Sequence, residues 1–246
     1  MAGHSKWSNI KHKKAAQDAK RGKIFTRLIR EITVAARLGG PDRDANPRLR
    51  IAVATALSNN MTKDTIERAI KKGVGGEEGA DFEEVRYEGY GPSGIAFIVD
   101  CMTNNRNRTV AEVRHAFSRS GGNLGTTGSV GYMFHQKGLI SFAPNSDEAA
   151  IMEAALEIGA EDVIVNSDAS IDVITDPNRF VEIKEAFDQR AFDIISAQII
   201  LDADVKVPIT GDELAEKVVN MIDRLEELED VQQVYSNADF GNEKRD

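Results

Sequence analysis

Residues 139–201 read LISFAPNSDEAAIMEAALEIGAEDVIVNSDASIDVITDPNRFVEIKEAFDQRAFDIISAQIIL, and the hydrophobic period in this stretch switches between two and about 3.6 residues. Period two indicates strands, and the longer period indicates helices. The predicted segments are 139–142, 147–158, 162–166, 170–175, 178–189 and 193–201. Their order is β-α-β-β-α-β, so we expect residues 136–206 to form a ferredoxin-like domain.

The chain before this stretch contains part of a further α/β unit, and the chain after it contains the remaining helix and strand. Before it, the pattern predicts strands at 84–90, 95–102 and 130–134 and a helix at 107–120. After it, a helix at 212–228 and a strand at 231–235 remain without a partner. We therefore expect a discontinuous α/β domain built from residues 79–135 plus 207–240, with the ferredoxin-like domain inserted in it.

The N-terminal third has helical periodicity throughout. A long helix is predicted at 14–38, Asn46 and Pro47 form an N-cap and first-turn proline, and Thr62 can cap a further helix. Glycines at 73–79 then indicate a linker. Residues 1–78 are thus expected to form a basic helical domain that includes a flexible N-terminal arm. The predicted fold class is α+β with three domains, an N-terminal helical domain plus two α/β domains.

Charge is divided sharply along the chain. Residues 1–72 hold 17 Lys and Arg against six Asp and Glu, whereas residues 73–246 hold 14 basic and 34 acidic side chains, and the formal net charge is −9. Such a division is typical of a chain that presents a cationic module to a polyanion. The single Cys101 excludes an intramolecular disulfide, and no apolar run is long enough to span a membrane. We expect a cytoplasmic protein without a membrane partner.

Cationic side chains of the helix at 14–38 fall on the face opposite its apolar stripe, and we name this set the basic ridge. It consists of Lys20, Lys23, Arg27, Arg30 and Arg37. The arm and the first residue of the helix add further candidate contacts: Lys6, Trp7, Lys11, Lys13 and Lys14. Lys and Arg in a row can neutralise successive phosphates, and a tryptophan among lysines can stack on a base. We therefore predict nucleic-acid binding by the ridge and the arm. The alternatives are a solvated helix face and a tryptophan docked on the helix.

An exposed ridge also implies that its side chains contribute little to stability. On this basis Lys20, Lys23, Arg27 and Arg30 should tolerate replacement by Gln, which is a fair helix former.

Two glycine-rich segments and a second group of arginines offer weaker signals. Residues 89–94 match G-x-G-x-x-G but join two predicted strands, whereas a dinucleotide site requires a strand followed by a helix. The glycines at 121–128 indicate a helix end and a loop, with backbone contact to nucleic acid as an alternative. The arginines at 106, 108, 114 and 119 form a weaker second basic cluster, and surface solvation or internal ion pairs explain them as well.

The sequence provides no set of residues for catalysis or metal binding. The four histidines and Cys101 share no ligand spacing, and no nucleophile motif occurs. Cys101 lies in an apolar predicted strand and is expected to be an inert core residue. We predict no enzyme activity, no cofactor and no small-molecule substrate, although residues from separate elements could still converge to form a hydrolase site.

Several long segments resemble the YebC/PmpR family, and together they extend over nearly the whole chain. They are Met-Ala-Gly-His-Ser-Lys-Trp at 1–7, Gln-Asp-Ala-Lys-Arg-Gly-Lys at 17–23, Asn-Pro-Arg-Leu-Arg at 46–50, Ile-Glu-Arg-Ala-Ile-Lys-Lys-Gly at 66–73, Tyr-Glu-Gly-Tyr-Gly-Pro at 87–92, Asn-Arg-Asn-Arg-Thr at 105–109 and Gly-Gly-Asn-Leu-Gly at 121–125. The resemblance implies three domains, with the last inserted into the middle one.

The resemblance also implies a function in gene expression. Members of the family are described as DNA-binding transcriptional regulators, mitochondrial relatives activate translation, and bacterial members are linked to ribosomes stalled at proline runs. We expect a DNA-binding transcriptional regulator. The alternatives are a translation factor that binds ribosomal RNA and an acidic scaffold for protein partners.

Overall fold

A computed structural model describes residues 17–75, 82–166 and 168–240, with side chains described from residue 22 onward except at residue 58. The elements in chain order are α1 (Gln17–Gly39), α2 (Pro47–Ser58), α3 (Lys63–Val74), β1 (Glu83–Tyr90), β2 (Ala96–Thr103), α4 (Arg106–Arg119), β3 (Asn123–Leu124), β4 (Phe134–Phe142), α5 (Glu148–Ile158), β5 (Asp162–Val165), β6 (Ile171–Thr175), α6 (Phe180–Gln189), β7 (Ile194–Ala203), β8 (Val207–Pro208), α7 (Asp212–Glu226), β9 (Val231–Ser236) and β10 (Ala238–Asp239). The α+β class with helical and α/β parts is confirmed.

The helical domain consists of α1, α2 and α3, and its caps match those predicted. The side chain of Asn46 accepts a hydrogen bond from the Leu49 amide at 3.0 Å, and Thr62 accepts one from the Thr65 amide at 3.3 Å. Both caps satisfy amides that a helix leaves unpaired in its first turn. The buried core is formed by Ile32, Ala35, Ala36, Leu49, Ala52, Val53, Ala56, Met61, Ile66, Ala69 and Ile70.

The middle domain is a sheet in the order β3-β1-β2-β9, with α4 and α7 packed against it. β9 pairs antiparallel with β2, so a strand from the end of the chain completes a sheet begun near residue 83. Phe97 from β2 meets Phe117 from α4 in an edge-to-face contact with ring centroids 6.2 Å apart. The chain between β3 and β8 forms a separate sheet, and the unit is therefore inserted in the middle domain.

The inserted unit has the predicted ferredoxin-like topology. Its strands lie in the order β5-β6-β4-β7, and each neighbouring pair is antiparallel. Phe142, Phe187 and Phe192 meet edge to face beneath the helices, at centroid distances of 5.1 to 6.0 Å. The exact residue bounds proposed for the three domains, 1–78, 79–135 plus 207–240, and 136–206, stay a prediction.

The strand predicted at 130–134 is wrong. Residues Gly131–Met133 form a 3-10 turn, and the strand begins only at Phe134. The turn forms because the carboxylate of Glu88 accepts hydrogen bonds from the amides of Val130 and Gly131, at 2.9 and 2.6 Å. Amides directed at a side chain in this way cannot pair with a neighbouring strand.

Among the helices of the described ranges, none is long and apolar enough to cross a membrane.

Candidate nucleic-acid interface

The arm residues proposed as nucleic-acid contacts, Lys6, Trp7, Lys11, Lys13 and Lys14, lie outside the described residues. Lys20 lies in the first turn of α1, and its side chain also lies outside the described part. The structure therefore informs on the remaining members of the basic ridge.

The first two of these members dock on the C-terminal end of α7. Lys23 is exposed, and its Nζ donates to the carbonyl of Glu227 at 3.1 Å. Arg27 is partly buried, and its Nη2 donates to the carbonyl of Glu226. The last carbonyls of a helix lack intrahelical donors and carry the negative end of the helix dipole, so cations are favoured there. Burial lowers the pKa of Arg27, and the charge of Glu226 opposes that shift.

Arg30 is buried, with 7% of its surface exposed, so its predicted exposure is wrong. Nη1 donates to the carbonyls of Met102 and Glu229 at 3.2 and 2.9 Å, and to Oδ1 of Asp230 at 3.1 Å. Nη2 donates to Oε1 of Glu229 at 2.7 Å. The guanidinium also lies 5.0 Å from the centre of the Phe82 ring. These contacts join α1 to the middle domain.

Asp230 is the centre of this junction. Its side chain is 1% exposed. It accepts from Nη2 of Arg108 at 2.7 Å and from the hydroxyls of Thr109 and Thr103 at 2.8 and 3.1 Å, in addition to Arg30. Burial raises the pKa of Asp230, but the hydrogen bonds from Arg108, Thr109 and Thr103 outweigh it, and the net pKa lies below the usual value. The folded chain thus keeps a buried carboxylate charged between two guanidinium groups.

The last member of the ridge, Arg37, is exposed and donates through Nη2 to the carbonyl of Phe82, just before β1. The ridge therefore faces the middle domain along much of its length. The helical wheel places these residues opposite the apolar stripe of α1, but it could not show that a second domain covers that face.

Cations that sequence reasoning did not single out remain available on the helical domain. Lys63 and Lys71 of α3 and Arg43 are exposed, Lys72 is half-buried, and no side-chain hydrogen bond or ion pair joins any of the four to another described residue. Arg68 is exposed and pairs with Asp64 at 2.8 Å, one helical turn away. The signal that could have identified this face was the adjacent pair Lys71 and Lys72 in the last turn of α3.

The arginines of α4 divide into two kinds. Arg106 pairs with Glu83 at 3.7 Å, and Arg108 pairs with Asp230. Arg114 and Arg119 are exposed and have no partner among the described residues. Internal ion pairs therefore account for Arg106 and Arg108, whereas a basic cluster and surface solvation both stay open for Arg114 and Arg119.

The glycine-rich stretch at 89–94 joins β1 to β2 through the 3-10 turn Pro92–Gly94, and the two strands pair from Glu83 and Thr103 to Tyr90 and Ala96. The expectation that it links two strands is confirmed.

The ferredoxin-like sheet lacks the features with which such sheets bind RNA. RNA-binding sheets of this topology stack bases on aromatic side chains of the open face. Here that face is covered, since Leu139, Ile174 and Ile200 are buried on it and Tyr235 of β9 packs against them. The buried carboxylate of Asp172 lies between Ser141 and Asn166, whose hydrogen bonds to it measure 2.5 and 3.0 Å. These buried residues are not available to stack on the bases of an RNA.

All three domains line a cleft of about 1140 Å³. Leu28 and Ile51 line it from the helical domain, Leu139 and Ile199 from the ferredoxin-like domain, and Tyr235 from β9.

Within the described ranges, no group of three His, Cys, Asp or Glu side chains is arranged to hold a metal ion. Cys101 is buried, and this burial, followed by the charges of Asp230 and Asp100, raises the pKa of its thiol to about 12. A thiol protonated at neutral pH is a poor nucleophile.

Comparison with known proteins gives matches along almost the whole chain. A family model described as the TACO1/YebC protein N-terminal domain matches residues 5–76, and one described as the TACO1/YebC second and third domain matches residues 82–238. A probable transcriptional regulatory protein of Francisella tularensis subsp. tularensis (strain SCHU S4) is 67% identical over 243 residues, which cover 99% of this chain and 98% of that protein.

A probable transcriptional regulatory protein of Francisella philomiragia shows the same identity and coverage. Among solved structures, a conserved hypothetical protein from Aquifex aeolicus superposes with a TM-score of 0.85 at 47% identity, covering 95% of this chain and 96% of that one.

Proposed function

The chain belongs to the TACO1/YebC family, and on that basis we propose that it is a DNA-binding transcriptional regulator whose helical domain contacts the phosphate backbone. It acts in the cytoplasm without a cofactor and without a small-molecule substrate, and it is not an enzyme. The names of its relatives support regulation of transcription, and the contacts with nucleic acid are our addition.

The observation that carries this proposal is the placement of charge. Residues 1–72 have 11 more basic than acidic side chains, whereas the remainder has an excess of 20 acidic side chains. In the helical domain, Lys63, Lys71 and Arg43 point to solvent without a partner in the described chain. Cations in this state can displace counterions from phosphates, and that release drives binding to nucleic acid.

The structure changes which residues we assign to binding. The arm with Lys6, Trp7, Lys11, Lys13 and Lys14 stays in the proposed interface, as does Lys20. Lys23 and Arg37 keep exposed side chains beside it. The cations of α3 are added to this set. Arg27 and Arg30 instead hold the helical domain against the middle domain, and they act on binding only through the position of α1.

Ribosomal RNA is the second candidate partner, and the composition of α3 fits it as well as it fits DNA. The exposed polar residues of α3 are lysines, an arginine and acids, with none of the Asn and Gln side chains that read base edges in the major groove. A surface of this composition reads phosphates and shape, which suits a folded RNA as well as a duplex.

The test is to identify which nucleic acid accompanies the full chain when it is purified from cells. Digestion of the purified complex with deoxyribonuclease or ribonuclease, followed by sedimentation through sucrose, separates the candidates. We expect DNA that deoxyribonuclease removes, and much less of it with the triple variant Lys63→Gln, Lys71→Gln, Lys72→Gln. A charge-matched control is Lys184→Gln, Arg190→Gln, Lys217→Gln, in the acidic domains.

Migration with ribosomes that ribonuclease abolishes would identify the RNA-binding alternative. Absence of both nucleic acids from the purified chain would contradict nucleic-acid binding altogether.

A further inference from the structure

β7 is an end strand of the ferredoxin-like sheet, so one of its two edges has no neighbouring strand. The sheet order is β5-β6-β4-β7, and β7 pairs only with β4. A register shift leaves Ile195 without an opposite residue, and pairing is regular from Ser196 to Ala203. In an antiparallel pair, alternate residues direct both the amide and the carbonyl away from the partner strand. No backbone hydrogen bond joins these outward groups of residues 196–200 to the rest of the described chain.

This free edge borders the cleft that all three domains line. Side chains alternate between the two faces of a strand. Ala197 and Ile199 lie on the face that packs against the core beneath the helices, whereas Ser196 and Gln198 lie on the other face. All four residues line the cleft. A cleft that meets both faces of an end strand passes around the edge between them, so the outward amides and carbonyls of residues 196–200 face the cleft.

The edge lacks the residues that usually prevent an edge strand from pairing with another chain. Such strands are commonly protected by lysine, proline or inward-pointing charge, or by a covering element. Residues 196–201 read Ser-Ala-Gln-Ile-Ile-Leu and contain neither a charge nor a proline. The other end strand of this sheet, β5, is only four residues long and begins with Asp162. The cleft walls are thus the remaining protection of the β7 edge, and they admit a single extended chain more readily than a folded sheet.

The opposite walls of the cleft suit an extended chain as well. Leu28 and Ile51 of the helical domain supply apolar surface. β9 is the end strand of the middle-domain sheet, and its residues 232–235 also line the cleft. No backbone hydrogen bond joins β9 to β7 in the described structure. A chain in the cleft therefore meets apolar side chains and unpaired backbone groups from two strands.

We infer that the free edge of β7 binds an extended segment of a partner protein, which adds a fifth strand to the ferredoxin-like sheet. In this mode main-chain hydrogen bonds provide affinity, and pockets for alternate side chains provide specificity. The segment has uncharged side chains, because those of β7 residues 196–200 are apolar or neutral and an unpaired charge buried beside them would be costly. The inference goes beyond the proposed function and does not require nucleic-acid binding.

The size of the cleft agrees with a peptide as its occupant. Typical small-molecule sites enclose roughly 300 to 1,000 Å³. The cleft, at about 1140 Å³, is larger than these. A nucleic acid could fill the same volume, but its backbone has no amides with which to continue a strand ladder.

Amide hydrogen exchange of the full chain, measured by NMR, tests the inference at the edge itself. The probe is a capped peptide of about eight residues that alternates Thr and Val, and it spans about 26 Å when extended. With about 1 mM peptide, exchange should slow at the outward amides of residues 196–200. Exchange at residues 162–165 of β5, the matched edge at the other end of the sheet, should stay unchanged. The same peptide with N-methyl groups on its central residues cannot donate these hydrogen bonds and should give no protection.

A charge placed on the edge should weaken this binding. Gln198 is exposed, and Gln198→Lys introduces a residue that edge strands use against pairing, so we expect the peptide to bind about 5-fold more weakly or less. Fluorescence polarisation of the labelled peptide measures the affinity. Gln189→Lys, at the end of α6, is the matched control, because Gln189 is also exposed and does not line the cleft. Circular dichroism verifies the fold of both variants.

The inference is overturned if the peptide slows exchange nowhere in residues 196–200, or if the N-methylated peptide protects these amides equally. Equal affinity of the Gln198→Lys and Gln189→Lys variants for the peptide overturns it as well. Protection of the edge without peptide that increases with protein concentration would assign the edge to a second copy of the chain. Protection without peptide at every concentration would assign it to another segment of the same chain, and either result would replace the partner protein as occupant.

Discussion

Replacing Arg30 by Gln removes the guanidinium that joins α1 to the middle domain. The contact with Glu229 contributes little, because the carboxylate of Glu229 is 75% exposed and screened by water. The contact with Asp230 is different, since the two side chains are 8% and 1% exposed. Removing one partner of a buried pair typically costs about 3 to 5 kcal/mol, because the other charge stays buried without compensation.

Asp230 retains Arg108 and two hydroxyl donors in this variant, so we place the loss of unfolding free energy near the lower limit, at about 3 kcal/mol. Urea titration of the full chain, followed by circular dichroism, measures this loss as a lower midpoint with an unchanged slope. Arg68→Gln is the control: its exposed pair with Asp64 should contribute no more than about 0.5 kcal/mol.

A double-mutant cycle with Asp230→Asn separates the ion pair from the other contacts of Arg30. We expect Arg30→Gln to cost at least about 1 kcal/mol less in the Asp230→Asn background, because the two side chains interact directly. If Arg30→Gln is no more destabilising than Arg68→Gln, the junction does not depend on Arg30, and its assignment to a structural role is wrong.

Three further predictions each concern one ionisable side chain. Because the pKa of Asp230 is lowered in the folded chain, its stabilising contribution is complete above about pH 4 and is lost as the pH falls through the folded-state value. The urea midpoint should thus fall more steeply below that pH in the unchanged chain than in Asp230→Asn. Cys101, with a pKa raised to about 12, should resist iodoacetamide at pH 8 until urea unfolds the chain, and rapid labelling of the native chain in a mass-spectrometric assay would contradict its burial. Glu88→Gln should cost about 1 to 3 kcal/mol and speed hydrogen exchange at the amides of Gly128, Val130 and Gly131, whereas unchanged protection would show that the carboxylate does not hold the loop.

The parts of the fold that could be predicted from sequence are those set by local signals. Asn46 and Thr62 indicate the starts of two helices, because the side chain of each accepts a hydrogen bond from the amide three residues later. The ferredoxin-like order followed from changes of hydrophobic period alone, because a period of two indicates one face of a strand and a period of 3.6 indicates one face of a helix. The strand predicted at 130–134 failed because the clamp by Glu88, about 40 residues earlier, redirects amides that a strand would need.

The candidate interface was harder to predict because a helical wheel describes one helix in isolation. It shows where Arg30 lies relative to the apolar stripe of α1, but the partner that buries this residue is Asp230, 200 residues later in the chain. One local signal was present. Residues 32–36 read Ile-Thr-Val-Ala-Ala, and a helix segment that is apolar or small on all sides indicates cover on more than one face. All five residues are buried in the structure.

The central claim is that exposed cations of the helical domain contact nucleic-acid phosphates, and the salt dependence of duplex binding tests it most directly. The affinity of the purified full chain for a short DNA duplex is measured across a range of salt concentrations, beside the variant Lys63→Gln, Lys71→Gln, Lys72→Gln. If all three lysines meet phosphates, the slope of log K against log salt should flatten by about 2.7, at about 0.9 for each contact. An equal slope for the two proteins, with both folded by circular dichroism, would contradict the account and would show that the α3 cations are only a solvated face.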